Sequence, residues 1–160
     1  YPEWAPFEKA EGRPIHPDRG PEVMSQTKQD SRNKDLLPNG NEIIKTANHF
    51  VVVLGDRPEK ALMTMKTTQL KTSRQWNSLI ENEFETDPST GKSVPAPRFS
   101  RIYKLTSVEN SGSFTWHGYS VNLLRKVDNT SLYQMAREFY GSLKRSQVNA
   151  ESSPQEESNY

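Results

Sequence analysis

The chain has 160 residues, room for one modest domain, and its 21 basic and 20 acidic side chains leave a net charge of +1. Only 32% of the residues are hydrophobic and mean hydropathy is −0.90, which predicts a small core with solvated ends. The longest apolar run, Phe50–Leu54, is too short for a membrane helix, and the absence of cysteine excludes disulfides, thiolate metal sites and cysteine nucleophiles.

Tyr1 opens onto Pro, Trp and charged residues, with no apolar leader, so the expectation is a soluble chain with no membrane partner. With no initiator Met, the true N-terminus is expected to lie upstream. Residues 1–41 are interrupted by Pro2, Pro6, Pro14, Pro17, Pro21 and Pro38 and read as an extended segment. Within it, only Trp4-Ala5-Pro6-Phe7 is suited to anchor on a core. Pro38-Asn39-Gly40-Asn41 is a tight turn before the first clear strand.

A domain is expected over 42–145. Ile43–Leu54 is β-branched and apolar, a buried strand, and Lys60–Lys66 returns as its hairpin partner across Gly55-Asp56-Arg57-Pro58. Thr67 or Thr68 caps a helix running to about Phe84, with Trp76, Leu79, Ile80 and Phe84 on one face. Asp87–Lys92 reads as a mobile connector. Phe99–Val108 and Ser113–Leu124 form a second hairpin about Glu109–Gly112. Asp128 or Asn129 caps a last helix with Leu132, Met135, Ala136, Phe139 and Leu143 as its stripe. Residues 146–160 are mostly Ser, Gln, Asn, Glu and Pro, expected to be a disordered acidic tail. The fold class is mainly β with two helices (α+β), as a small OB-like barrel or a curved antiparallel sheet.

No P-loop, G-x-S-x-G or H-E-x-x-H occurs, and His16, His49 and His117 lack metal-ligand spacing. Neither a metal nor another cofactor is implied. Glu81, Glu83, Glu85 and Asp87 alternate at a helix end, which suits solvent better than a metal-dependent nuclease. The reading is therefore of a non-enzyme.

Charge distribution is more informative. The windows 60–80 and 88–108 contain Lys60, Lys66, Lys71, Arg74, Lys92, Arg98, Arg101 and Lys104 and no acid. Phosphate backbones bind such concentrations of positive charge. Period-two alternation places Phe99, Arg101, Tyr103 and Leu105 on one strand face, and Trp116 on the next strand. Aromatic rings beside cations suit sequence-tolerant binding of single strands, although one face of each strand must fill the core. The candidate DNA-binding residues are Lys66, Lys71, Arg74, Arg98, Arg101, Tyr103, Lys104 and Trp116. Trp76, in the helix stripe, reads as core.

The strings Ala61–Ile80, Pro97-Arg98-Phe99-Ser100-Arg101-Ile102-Tyr103-Lys104-Leu105, Trp116-His117-Gly118-Tyr119 and Glu3-Trp4-Ala5-Pro6 resemble a family of tailed-bacteriophage proteins. That family is described as single-stranded-DNA-binding proteins of replication and recombination. The resemblance implies DNA binding at the basic strand-helix region and a place in the cytoplasm of the infected bacterial host. The tail, with Glu156, Glu157 and terminal Tyr160, looks like the acidic, aromatic-ended tails by which single-strand-binding proteins recruit replication or recombination partners. A homo-oligomer is compatible with the sequence. The alternative is a non-catalytic virion or assembly protein using the same hairpins for subunit contacts.

Overall fold

The computed structural model describes residues 1–6, 9, 11–112 and 115–152, with side chains described to residue 146. The fold is mainly β with two helices, in the α+β class, as several small antiparallel sheets. The expected OB-like barrel is not formed among the described residues: the long strands pair only in twos, so no sheet closes on itself.

The chain divides into two compact units. The first takes residues 1–50, 62–74 and 109–119; the second takes 51–61, 75–108 and 120–160.

In the first unit, β1 (Glu3–Trp4), β2 (Lys28–Gln29), β3 (Asp35–Leu36) and β4 (Glu42–Ile43) form a four-stranded sheet in the order β1-β4-β3-β2. The proline-rich segment is thus folded, with Val23, Leu37 and Ile43 buried together against Tyr1 and Met24. Strands of two residues carry no periodicity to read, and turn chemistry does the folding instead. Asp30 Oδ1 accepts the N–H groups of Arg32 and Lys34, closing β2 onto β3. Gly40, at φ +84°, lets Leu37 and Asn41 pair across the β3–β4 turn.

The expected strand Ile43–Leu54 breaks into β4 and β5 (Thr46–Val53), and β5 pairs with β6 (Glu59–Lys66). A 3-10 turn at Thr67–Gln69 leads into α1 (Leu70–Glu81). Thr67 there has φ +50°, a conformation that costs a β-branched residue of order 1–3 kcal/mol.

In the second unit, the expected connector is a hairpin, β7 (Phe84–Thr86) with β8 (Ser93–Pro95). Its turn is ordered by Asp87, whose Oδ1 accepts from Ser89 N–H and Oγ and whose Oδ2 accepts from Thr90 Oγ1. Those bonds hold the Asp87 carboxyl down at about 2. Gly91, at φ +66°, completes the turn.

β9 (Arg101–Ser111) and β10 (Thr115–Lys126) form the second long hairpin, close to the expected strands. Both long hairpins and α1 contribute residues to each unit. α2 (Thr130–Ser152) is capped by Asn129, whose Oδ1 accepts the Leu132 N–H at 2.9 Å. It continues to Ser152, past Arg145, where the sequence reading ends the helix and begins a disordered tail. Phe99 packs edge-on to Tyr133 and tilted to Tyr140, joining α2 to the segment before β9. No described helix is long and apolar enough to cross a membrane.

Candidate nucleic-acid interface

Around Asn48–Phe50 and Leu62–Lys66 the β5–β6 hairpin separates its residues by face. Met65 is fully buried, and His49 Nε2 lies 2.8 Å from Ser73 Oγ on the first turns of α1. His49, Met63 and Met65 therefore mark the inner side. On the outer side, Thr64 Oγ1 donates to Asn48 Oδ1 at 2.9 Å, which fixes those two residues as cross-strand neighbours. Alternation then puts Phe50 beside Asn48, and Leu62 and Lys66 beside Thr64. Phe50 is 50% exposed and Leu62 54% exposed. The Lys66 ammonium stands 5.2 Å from the centre of the Trp4 ring, a cation–π contact that draws β1 to this surface.

α1 begins beside β10. Thr72 Oγ1 donates to the Tyr119 carbonyl at 2.8 Å, and Thr72 and Ser73 are both buried. The residues flanking them, Lys71 and Arg74, are exposed at i and i+3, as the sequence places them. Trp116 on β10 is 36% exposed, and its ring lies over Gly112, where a Cβ would come within 3.4 Å of it. Four of the expected residues, Lys66, Lys71, Arg74 and Trp116, thus belong to the first unit and reach its surface.

The other four belong to the second unit, and two of them face its interior. The Arg101 side chain is only 9% exposed. Its Nε donates to Glu83 at 2.7 Å, and its two terminal nitrogens reach Ser100, Phe84 O and Glu85. A guanidinium held by four such hydrogen bonds spends most of its five donors on neighbouring protein groups. Tyr103 packs against Trp76 with ring centroids 5.9 Å apart. Its hydroxyl is buried with no hydrogen-bond partner among the described residues; burial pushes its pKa up, as does nearby Glu83. The Arg101 guanidinium and the Tyr103 hydroxyl are thus turned away from solvent, whereas the sequence reading places both residues among those that bind DNA. The expected alternation holds, because Arg101 and Tyr103 share a face, but that face turns inward.

Trp76, buried, matches its expected place in the core. Arg98 is exposed and donates to Asn77 Oδ1 at 2.8 Å; Lys104 is exposed. Glu156, Glu157 and Tyr160 lie outside the described residues. Among the described residues, no group of three His, Asp or Glu side chains is arranged to hold a metal ion.

Phe50 is the surface residue that the sequence reading missed. Its run of valines signals a buried strand, whereas the signal that separates the faces is the polar pair Asn48 and Thr64, each two residues from an apolar neighbour.

The sequence model of one protein family, described as Pam3 phage gp34-like protein, matches residues 1–149. Neither the curated proteins nor the solved structures contain a match to the chain.

Proposed function

Because the chain belongs to the Pam3 phage gp34-like protein family, a bacteriophage family, we propose that it handles phage nucleic acid as a non-catalytic single-stranded-DNA-binding protein. The observation that carries this reading is the outer face of β5–β6. There a half-exposed aromatic ring, two amide or hydroxyl side chains and a lysine share one sheet surface. Single strands are gripped by such surfaces through stacking on the ring and Coulomb attraction to the cation. Lys71 and Arg74 add positive charge on α1 of the same unit.

Binding only the unpaired form protects transient single strands and melts secondary structure by mass action. The proposed setting is replication or recombination in the cytoplasm of the infected host. Glu156, Glu157 and Tyr160 are the proposed contact for a replication or recombination protein. A salt series of titrations with a fluorescent single-stranded oligonucleotide tests the reading. Saturable binding that weakens steeply with salt supports it, and no binding at ~50 mM salt overturns it.

A second reading is favoured by one observation. Val53, Leu123 and Leu124, all in the second unit and on the long hairpins, are 39–58% exposed, apolar side chains suited to subunit contacts in a virion or assembly protein. Light scattering decides it: a stable, salt-insensitive oligomer that ignores DNA is the assembly result.

A further inference from the structure

A carboxylate buried in a small sheet is costly unless it is fully partnered. Glu3 is 1% exposed. Its Oε1 accepts from Asn41 Nδ2, and its Oε2 is paired with Arg19. Its backbone N–H donates to His16 O at 2.9 Å, and its carbonyl accepts from Ile15 N at 2.8 Å. One residue thus fixes both Asn41 and Ile15, and both line a cleft of about 610 Å³ in the first unit. That is within the usual range for a small-ligand site.

The cleft has three kinds of surface. Pro6, Pro14 and Ile15 make an apolar wall, and Ile15 is 51% exposed there. Lys9 and Arg13 bring cations to the rim, with Arg13 lying 3.5 Å from Glu11. Asn41 supplies a polar group of known orientation: because a carboxylate only accepts, its NH₂ points to Glu3, and its Oδ1 remains an acceptor.

An apolar wall, a fixed acceptor and rim cations together match the parts of a nucleotide. We propose that this cleft holds one nucleotide of the bound strand. The base lies on Pro6, Pro14 and Ile15, its amino or ring N–H donates to Asn41 Oδ1, and its phosphate sits between Lys9 and Arg13. The proposal rests on the single-strand reading. It places the cleft next to the outer β5–β6 face in the chain as well, since Trp4, under the Lys66 ammonium, directly precedes Ala5 and Pro6.

Amide chemical-shift titration of the full chain with deoxycytidine monophosphate, and separately with inorganic phosphate, tests it. The expected result is saturable shifts at Ile15 and Asn41, at least about fivefold tighter for the nucleotide than for phosphate, the lower end of what one base contact contributes. Ile15→Asp, at a half-exposed site, is expected to abolish the difference while the spectrum outside the cleft stays that of the parent. Equal responses to both probes, or a difference that survives in I15D, overturn the nucleotide assignment. A single-stranded oligonucleotide that shifts Phe50 and Lys66 but leaves Ile15 and Asn41 unmoved overturns the cleft and keeps the β5–β6 interface. An oligonucleotide that shifts nothing overturns both.

Discussion

Two stretches of this chain carry the same mixture of cations and rings, and they come to opposite ends. In β5–β6 the ring of Phe50 and the ammonium of Lys66 stand on the outer side of a hairpin whose inner side is occupied by Met65 and His49. In β9 the corresponding pair, Arg101 and Tyr103, is turned inward onto Glu83 and Trp76. Alternation says which residues share a face; it does not say which face is covered. That is decided by what the rest of the fold brings opposite. Glu83 and Glu85, on and just before β7, supply carboxylates to Arg101, whereas no acid lies between Lys60 and Ile80 to do the same for Lys66.

The sharpest way to break this contrast is Arg101→Ala. Removing the cation takes from Glu83 its 2.7 Å ion-pair partner and leaves Glu85 to Lys126, and losing one member of a mostly buried ion pair typically costs ~3–5 kcal/mol. The expected outcome is a strongly lowered melting temperature. An R101A protein that melts like the parent and binds DNA more weakly would return Arg101 to the interface.

Phe50→Ala is next. A base-stacking ring is worth ~1–3 kcal/mol of binding, so affinity for single strands should fall five-fold or more with the salt dependence unchanged. The fold should survive, since the ring is half exposed. Lys66→Ala, in contrast, should reduce the salt slope by about one unit. If both substitutions act only on the slope, Phe50 is no stacking ring.

The hairpins and helices were legible because their patterns are long. The stripe of Leu132, Met135, Ala136, Phe139 and Leu143 predicts α2, and the Asn129 cap stands where the sequence places it. The N-terminal sheet was not legible. Its strands are two residues each, and what closes it is non-local: Glu3 pairing with Asn41 and Arg19, and Ile43 packing on Val23 and Leu37. The same applies to the inward turn of Arg101, which depends on carboxylates eighteen and sixteen residues earlier. Asp87-Pro88-Ser89-Thr90-Gly91 did carry a turn signature, and β7–β8 shows that such a signature can order a hairpin as well as loosen a connector.

Glu3 gives a pH test that separates the first unit from the second. Burial pushes its carboxyl up, but the Asn41 amide and the Arg19 guanidinium outweigh that and hold it below the ordinary value of 4.5. A carboxyl lowered by folding contributes stability that is fully present above the unfolded pKa and is lost as pH falls through the folded one. Acid below about pH 4.5 should therefore loosen the N-terminal sheet, seen as rising amide exchange at Ile15 and Asn41. Glu3→Gln should flatten that dependence, and a dependence that persists in E3Q assigns it to another carboxyl.

The smallest effect is expected at Tyr103→Phe, which removes a buried hydroxyl that has no partner among the described residues. Stability should stay the same or rise by up to ~1 kcal/mol, and DNA affinity should not change. Lost affinity with unchanged stability would put Tyr103 at the interface after all.

The two surfaces are separated most directly by photo-crosslinking a single strand carrying 5-bromodeoxyuridine to the full chain and sequencing the crosslinked peptides. Crosslinks on the peptide spanning 46–66, with Phe50 among the modified residues, are the predicted result. Crosslinks confined to β9 and Tyr103, or none at low salt, would contradict the assignment of the outer β5–β6 face as the nucleic-acid interface.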